Sequence, residues 1–218
     1  MKMETKSRYI TFSKVFVFSS CLFILSGCSS RHNNHMKDYV YKADPAFRYE
    51  IEETYKADGW TEYRVKMVSG TWLTKQEVNH TEWWHWVTIV VPDEVAETEA
   101  LVIIGGGSTR DKEPEAANEL LIQAAVETKS IIAEISNIPF QPLNYVVDEK
   151  DDRTEDDIIA YGWRKYLEGG AKDEDVEWLA RLPMTRAVVR AMDVIQEIGA
   201  DISKPVDGFV VAGASKRG

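Results

Sequence analysis

One serine in this 218-residue chain stands where its hydroxyl could attack a carbonyl. The run Gly213-Ala-Ser-Lys-Arg-Gly218 follows the apolar segment Gly208-Phe-Val-Val-Ala212. A serine at a sharp strand-to-helix turn is thrust out of the fold, and small neighbours let the backbone double back there. Gly213, two residues before Ser215, fits that need. Two residues after it stands Arg217, and the glycine expected there comes one position later. Taken alone, such a string is more often a plain structural turn than a nucleophile. A second run shifts the balance. Leu101-Val-Ile-Ile104 leads straight into Gly105-Gly-Gly-Ser108. Glycines accept the backbone angles that aim successive N–H groups into one nest. Gly106 and Gly107 are therefore candidates to hold the oxyanion of an acyl transfer, with Lys216 as a further anion-binding group.

The other chemistry is at the N-terminus. Lys2, Lys6, Arg8 and Lys14 precede an almost wholly apolar stretch from Val15 to Leu25, which leads into Leu25-Ser-Gly-Cys28. That is the layout of a signal peptide, with a core too short to cross a bilayer. The small-small-Cys ending resembles the bacterial lipobox. It predicts export, cleavage after residue 27, and lipid on the Cys28 thiol, which anchors the protein to a bacterial membrane on the periplasmic or cell-surface side. More than one acyl chain is needed for a stable anchor.

Residues 28–45 are polar and without apolar periodicity, so they read as a tether, with a domain from 46 to 218. Cleavage removes four basic residues and one acidic one, taking the formal charge from −10 to −13. A surface that acidic excludes nucleic acid as a direct partner. Cys21 leaves with the signal and Cys28 is spent on lipid, so no disulfide is available.

Five strands are predicted within the domain. Glu62–Val68 alternates; Trp84–Val91, Leu101–Ile104, Ser130–Ile135 and Gly208–Ala212 are short apolar runs. Helices are expected over Pro114–Thr128, from Thr154 to Gly169, and over Pro183–Ile198. Strand and helix alternation gives an α/β class, with a mainly parallel sheet and helices on both faces. In the cluster Trp83-Trp-His-Trp86, Trp84 and Trp86 share one side of a strand and His85 the other. Burial suits them better than sugar stacking, because the strand continues Val-Thr-Ile-Val.

The glycine loop lacks the G-x-G-x-x-G spacing of a dinucleotide site, and Ser-Lys-Arg lacks the glycine spacing of a P-loop. The acidic run from Asp148 to Asp157 lacks calcium-loop spacing and reads as a solvated loop and helix cap. Neither cofactor nor metal is expected. Asn79-His-Thr81 matches a glycosylation acceptor that a bacterial lipoprotein has no use for. Lys216 and Arg217 either attract an anionic substrate or orient the turn.

In combination, several segments resemble the PhoPQ-activated pathogenicity-related family: Trp83–Pro92, Ile103–Gly107, Pro139-Phe-Gln-Pro142, Arg181-Leu-Pro-Met184 with Arg190-Ala-Met-Asp193, and Val211–Gly218. The resemblance covers about residues 38–218. It implies an α/β-hydrolase-like fold with Ser215 at the nucleophile position and Gly106 and Gly107 near the oxyanion site. It also implies a longer protein, continuing past the serine turn through more strands, an acid and a histidine. All four histidines, His32, His35, His80 and His85, precede Ser215, whereas the acid and histidine of such enzymes follow the serine. The expectation is an N-terminal part ending after strand five, inactive by itself, of a serine hydrolase acting on an ester or amide. The substrate, whether small molecule, glycan or peptide, is left open, and Ser-basic-x-Gly also resembles the elbow of certain carbohydrate esterases. The alternative is a binding or signalling module on the same fold.

Overall fold

The computed structural model of the protein describes residues 34–218. The signal segment and Cys28 lie outside the described residues. Folded structure begins earlier than the boundary expected at 46. Residues His35–Tyr41 form helix α1, capped by the Asn34 side chain on the Lys37 N–H at 3.0 Å, with Val40 buried.

Six strands make one sheet: β1 (Arg48–Ala57), β2 (Trp60–Thr71), β3 (Glu82–Pro92), β4 (Glu99–Ile104), β5 (Ile132–Ile135) and β6 (Gly208–Gly213). Their spatial order is β1-β2-β3-β5-β4-β6. The sheet is mixed, which corrects the expectation of a mainly parallel one. β1, β2 and β3 pair antiparallel in turn, β3 pairs antiparallel with β5, and only β5-β4 and β4-β6 are parallel. The reason lies in the connections: a two-residue turn can join only antiparallel neighbours. Asp58-Gly59 makes such a turn, with Ala57 opposite Trp60 and Gly59 at φ +88°. Strand β1 was missing from the expected set, so the serine turn follows the sixth strand and the glycine loop the fourth.

Helix α2 (Glu119–Thr128) packs on one face of β3 and β5, while α4 (Arg181–Asp201) packs on the opposite face of β2, β3 and β5. The larger core lies under α4. There Val65, Met67, Val87, Ile89, Val102, Ala133 and Ile135 meet Ala187, Ala191, Val194 and Ile195, all essentially without solvent contact. Each valine, isoleucine or methionine side chain buried in this way contributes roughly 1.5–3 kcal/mol. A smaller cluster under α2 joins Val90 and Ile132 to Ala117 and Ala125. Helix α2 starts five residues later than its proline suggests. Residues 113–117 lie instead along β2, where Arg64 bonds Glu113 and the Glu115 carbonyl, and Glu62 accepts the Ala117 N–H at 2.9 Å.

Helix α3 (Glu155–Glu168) follows a loop that runs from β5, and a short 3-10 turn (Asp173–Trp178) leads into α4. Gly162 of α3 faces that turn, where an added Cβ would collide with the Trp178 carbonyl. The N-terminal segment is fastened to α4 by one buried ion pair. The Asp44 carboxylate meets Arg186 at 2.9 Å, with both side chains under a tenth exposed. Asp44 also accepts the Thr71 N–H and hydroxyl, and Arg186 donates to the Tyr39 carbonyl while lying over the Tyr39 ring. No helix among the described residues is long and apolar enough to cross a membrane.

Candidate active site

The chain leaves β4 toward β5 on one side and later returns as β6 on the other, so the sheet's winding reverses at β4. Crevices outside the carboxyl ends of parallel strands at such a point are where open α/β sheets bind ligands. Here the register does the aligning. β4 and β6 run parallel from Glu99 opposite Gly208 to Ile104 opposite Gly213. The next residues, Gly105 and Ala214, therefore emerge side by side, about one strand spacing apart. The glycine loop and the serine turn, predicted separately, belong to one locus.

At the turn Ser215 has φ +58°, the left-handed region. For a residue with a Cβ that conformation costs roughly 1–2 kcal/mol, and it persists because the surrounding bonds hold it. The Arg217 N–H reaches the Ala214 carbonyl at 3.1 Å, and the Gly218 N–H the Ser215 carbonyl at 3.1 Å. Arg181, at the start of α4, donates to the Lys216 carbonyl. Gly213 must be glycine, since a Cβ there would strike the Arg217 carbonyl. Ser215 itself is exposed, and its hydroxyl makes no hydrogen bond among the described residues.

Across the crevice, the Gly106 carbonyl accepts the Asn137 N–H at 2.6 Å and the Gly107 carbonyl accepts Gln141 Nε2 at 2.7 Å. Their own N–H groups have no protein acceptor among the described residues. Amide donors left without a protein acceptor in a loop next to an exposed serine are the kind of group that can bind an anion. The next donor in the loop is already taken, because the Ser108 N–H donates to Asp111 at 2.7 Å. Gly106 lies against Arg217, whose Nη1 would be 3.2 Å from a Cβ at that position.

Lys216 and Arg217 do not stand as free cations. Lys216 Nζ pairs with Glu155 at 3.1 Å and Asp156 at 3.3 Å, and Arg217 Nη1 pairs with Glu155 at 3.2 Å. Of the two roles open to them, orienting the turn is the one this geometry supports. Burial works to raise the Glu155 pKa, but Lys216, Gln141 and Arg217 outweigh it and hold the carboxyl below its ordinary value. A half-buried cavity of about 340 Å³ adjoins the turn, between Ile104, Met184, Val188 and Val211.

Sequence reasoning missed Asn137, Gln141, Glu155 and Arg181 as parts of this locus. The signal for two of them was present in the segment Asn137-Ile-Pro-Phe-Gln-Pro142. That loop is wedged under the site by a stacked Phe140–Trp83 pair, with ring centroids 5.7 Å apart.

The histidines sit elsewhere. His85 is fully buried, with Nδ1 donating to the Ser136 carbonyl at 3.2 Å and Nε2 facing the Ser69 hydroxyl at 3.0 Å. Burial pushes its pKa down to about 4, so it is a neutral structural group. His35 pairs with Asp173, and His80 lies edge-on to Phe140. None of these three touches Ser215. Trp84 and Trp86 share a face and meet edge-on, with Lys66 over both rings, while Trp83 packs in the core. Among the described residues no group of three or more His, Cys, Asp or Glu side chains could hold a metal ion.

Comparison with known proteins adds four findings. The family model described as PhoPQ-activated pathogenicity-related protein matches residues 36–218. Autocrine proliferation repressor protein A of Dictyostelium discoideum is 36% identical over 198 residues; the match takes in 90% of this chain and 39% of that protein. Among solved structures, a Bacteroides fragilis protein assigned as an acetyl xylan esterase aligns at TM-score 0.44 and 14% identity, over 83% of this chain and 45% of its own. A glucuronoyl esterase from Solibacter usitatus aligns at TM-score 0.42 and 14% identity, over 84% and 51%. The chain thus spans about half or less of each of these proteins.

Proposed function

We propose, since the chain belongs to the family of PhoPQ-activated pathogenicity-related proteins, that it carries the nucleophile and oxyanion half of an α/β-hydrolase-like serine hydrolase. The observation that carries this reading is the placement of Ser215, at φ +58° in a turn that strand register sets next to the loop of Gly106 and Gly107, whose N–H groups have no protein acceptor among the described residues. The reaction is acyl transfer. Ser215 Oγ bonds to the carbonyl carbon of an ester or amide, its proton passes to a base, and the carbonyl oxygen takes up negative charge against the Gly106 and Gly107 donors. The bond from the carbonyl carbon to the alcohol or amine then breaks as the base returns the proton to that leaving group, and water, giving its own proton to the same base, releases the acyl group as an acid and restores the Ser215 hydroxyl.

In this reading the base and its supporting acid belong to the full-length protein, and this chain by itself is inactive. A serine hydroxyl without a base is a poor nucleophile at neutral pH. The test is a fluorophosphonate probe on the full-length protein. Covalent labelling that disappears in Ser215→Ala supports the hydrolase. A folded, complete protein that takes no label overturns it and leaves the second reading, a binding or signalling module. That second reading draws on the Ser215 hydroxyl having no partner among the described residues.

The domain is held outside the cell's inner compartment by lipid on Cys28. The sequence pattern at residues 25–28 supports this. Metabolic labelling with radioactive palmitate should mark the wild-type protein and be absent from Cys28→Ala. Equal labelling of both would remove the anchor from the proposal.

A further inference from the structure

Glu155 is bonded to more parts of the candidate site than any helix cap requires. Its carboxylate takes Lys216 Nζ at 3.1 Å and Arg217 Nη1 at 3.2 Å, both from the serine turn. It also takes Gln141 Nε2 at 3.1 Å, while its backbone N–H donates to Gln141 Oε1 at 2.7 Å. The same Gln141 Nε2 holds the Gly107 carbonyl at 2.7 Å, and the Gln141 carbonyl accepts the Thr109 N–H at 2.6 Å. One side chain is therefore two bonds from the glycine loop and one bond from the serine turn.

The backbone bends to permit this. Glu155 has φ +51°, rare for a residue with a long side chain, at the first position of α3. Thr154 occupies the capping position but makes no side-chain capping bond, and Gln141 takes the Glu155 N–H instead. A strained residue held by its surroundings at a crevice points to a role there. The neighbouring carboxylates behave differently: Asp156 is exposed and among the described residues pairs with Lys216, and Asp157 pairs with Lys150 away from the turn.

We propose that Glu155 is the positioning residue of the site: through Arg217 and Lys216 on one side and Gln141 on the other, it sets the Gly106 and Gly107 donors against Ser215. This rests on the serine-hydrolase reading for its chemical consequence, though not for its structural one. Each of its two arms can therefore be measured separately.

The experiment uses the full-length protein with Glu155→Gln, Gln141→Met, and Asp157→Asn as control. Hydrogen exchange is followed by peptide, and fluorophosphonate labelling is resolved into its binding and bond-forming constants. Glu155→Gln is expected to speed exchange in residues 105–109 and 213–218 together, with β2 and β3 unchanged. The bond-forming constant is expected to fall about tenfold, equivalent to roughly 1.4 kcal/mol, at an unchanged binding constant. Gln141→Met, which leaves the turn's cations paired, should slow labelling in the same way. Asp157→Asn should change neither readout by more than about twofold.

Exchange rising only in 213–218 would reduce Glu155 to a local brace and overturn the proposal, as would a labelling loss shared equally by Asp157→Asn. Should Glu155→Gln fail to fold, Gln141→Met decides: exchange in 105–109 identical to wild type overturns the proposal. If the wild-type protein takes no label, the hydrolase reading falls, and coupled exchange in the two loops still decides whether Glu155 joins them.

Discussion

Replacing Asp44 with alanine is expected to remove about 3–5 kcal/mol of folding stability, the range found when one partner of a buried ion pair is taken away. The magnitude follows from what remains. Arg186 would still be buried, held by the Tyr39 and Thr71 carbonyls and flat against the Tyr39 ring, with no carboxylate beside it. The Thr71 N–H and hydroxyl would also lose their acceptor. Burial raises the Asp44 pKa, but the Thr71 and Ala46 N–H groups, the Thr71 hydroxyl and Arg186 together hold it below its ordinary value. The native state thus favours the charged form. Urea unfolding of wild type, Asp44→Ala and Asp44→Ala with Arg186→Met measures this, provided the m-value is unchanged. The double variant should recover part of the loss, because it no longer buries a lone charge. A loss below about 1 kcal/mol in the single variant would mean that Arg186 finds water, and that the pair does not fasten the N-terminal segment.

Acidification is expected to weaken the fold before most of its carboxylates titrate. His85 has a folded pKa near 4 because burial opposes its charged form, against an ordinary value of 6.5. Between those values the unfolded chain binds a proton that the native state refuses. Stability is therefore complete above about pH 6.5, declines as pH falls, and levels off below about pH 4. The total is on the order of 3 kcal/mol. Asp44 and Glu155, with pKa values held down in the fold, add their losses only as pH drops through and below the ordinary carboxylate range. Between 6.5 and 4.5 the histidine lowers stability as pH falls, and Glu134 offsets part of it, because burial holds its carboxyl above the ordinary value and the native state takes up that proton first. Chemical unfolding at half-unit pH steps should show stability falling with pH there by less than one proton, and His85→Asn should abolish or reverse that fall. An unaltered slope in that variant would assign the proton uptake elsewhere.

The serine turn and the glycine loop were legible because each consists of small residues directly after an apolar run, and such pairs say where a buried strand ends. The buried reading of His85 was legible for a similar reason, from the Val-Thr-Ile-Val that follows it. Strand β1 was not, because its residues are mostly exposed along both faces and its glutamates mask any alternation. Only the Asp58-Gly59 pair, a strong hairpin signal, could have revealed it. The order of the sheet followed from that omission, since a hairpin added at the front turns the balance toward antiparallel pairing. The Glu155 contacts were illegible for a different reason. They join residues 107, 141, 155 and 217, which no spacing rule connects, and they depend on a backbone angle that a sequence favours only at glycine.

The parallel register of β4 and β6 has a consequence for precision. Both strands start from a shared origin, where the Asp207 N–H bonds the Thr98 carbonyl at 2.8 Å. Each then measures off six residues before releasing its loop. They behave as two rulers laid against one stop, so the gap between serine and amide donors is gauged at the far end of the sheet. A deletion of one residue along either ruler would displace its loop by about 3.3 Å and turn the last side chain to the opposite face. Catalytic alignment tolerates errors nearer 1 Å. The spacing of the two loops is thus calibrated at the other end of these two strands, by residues that belong to neither loop.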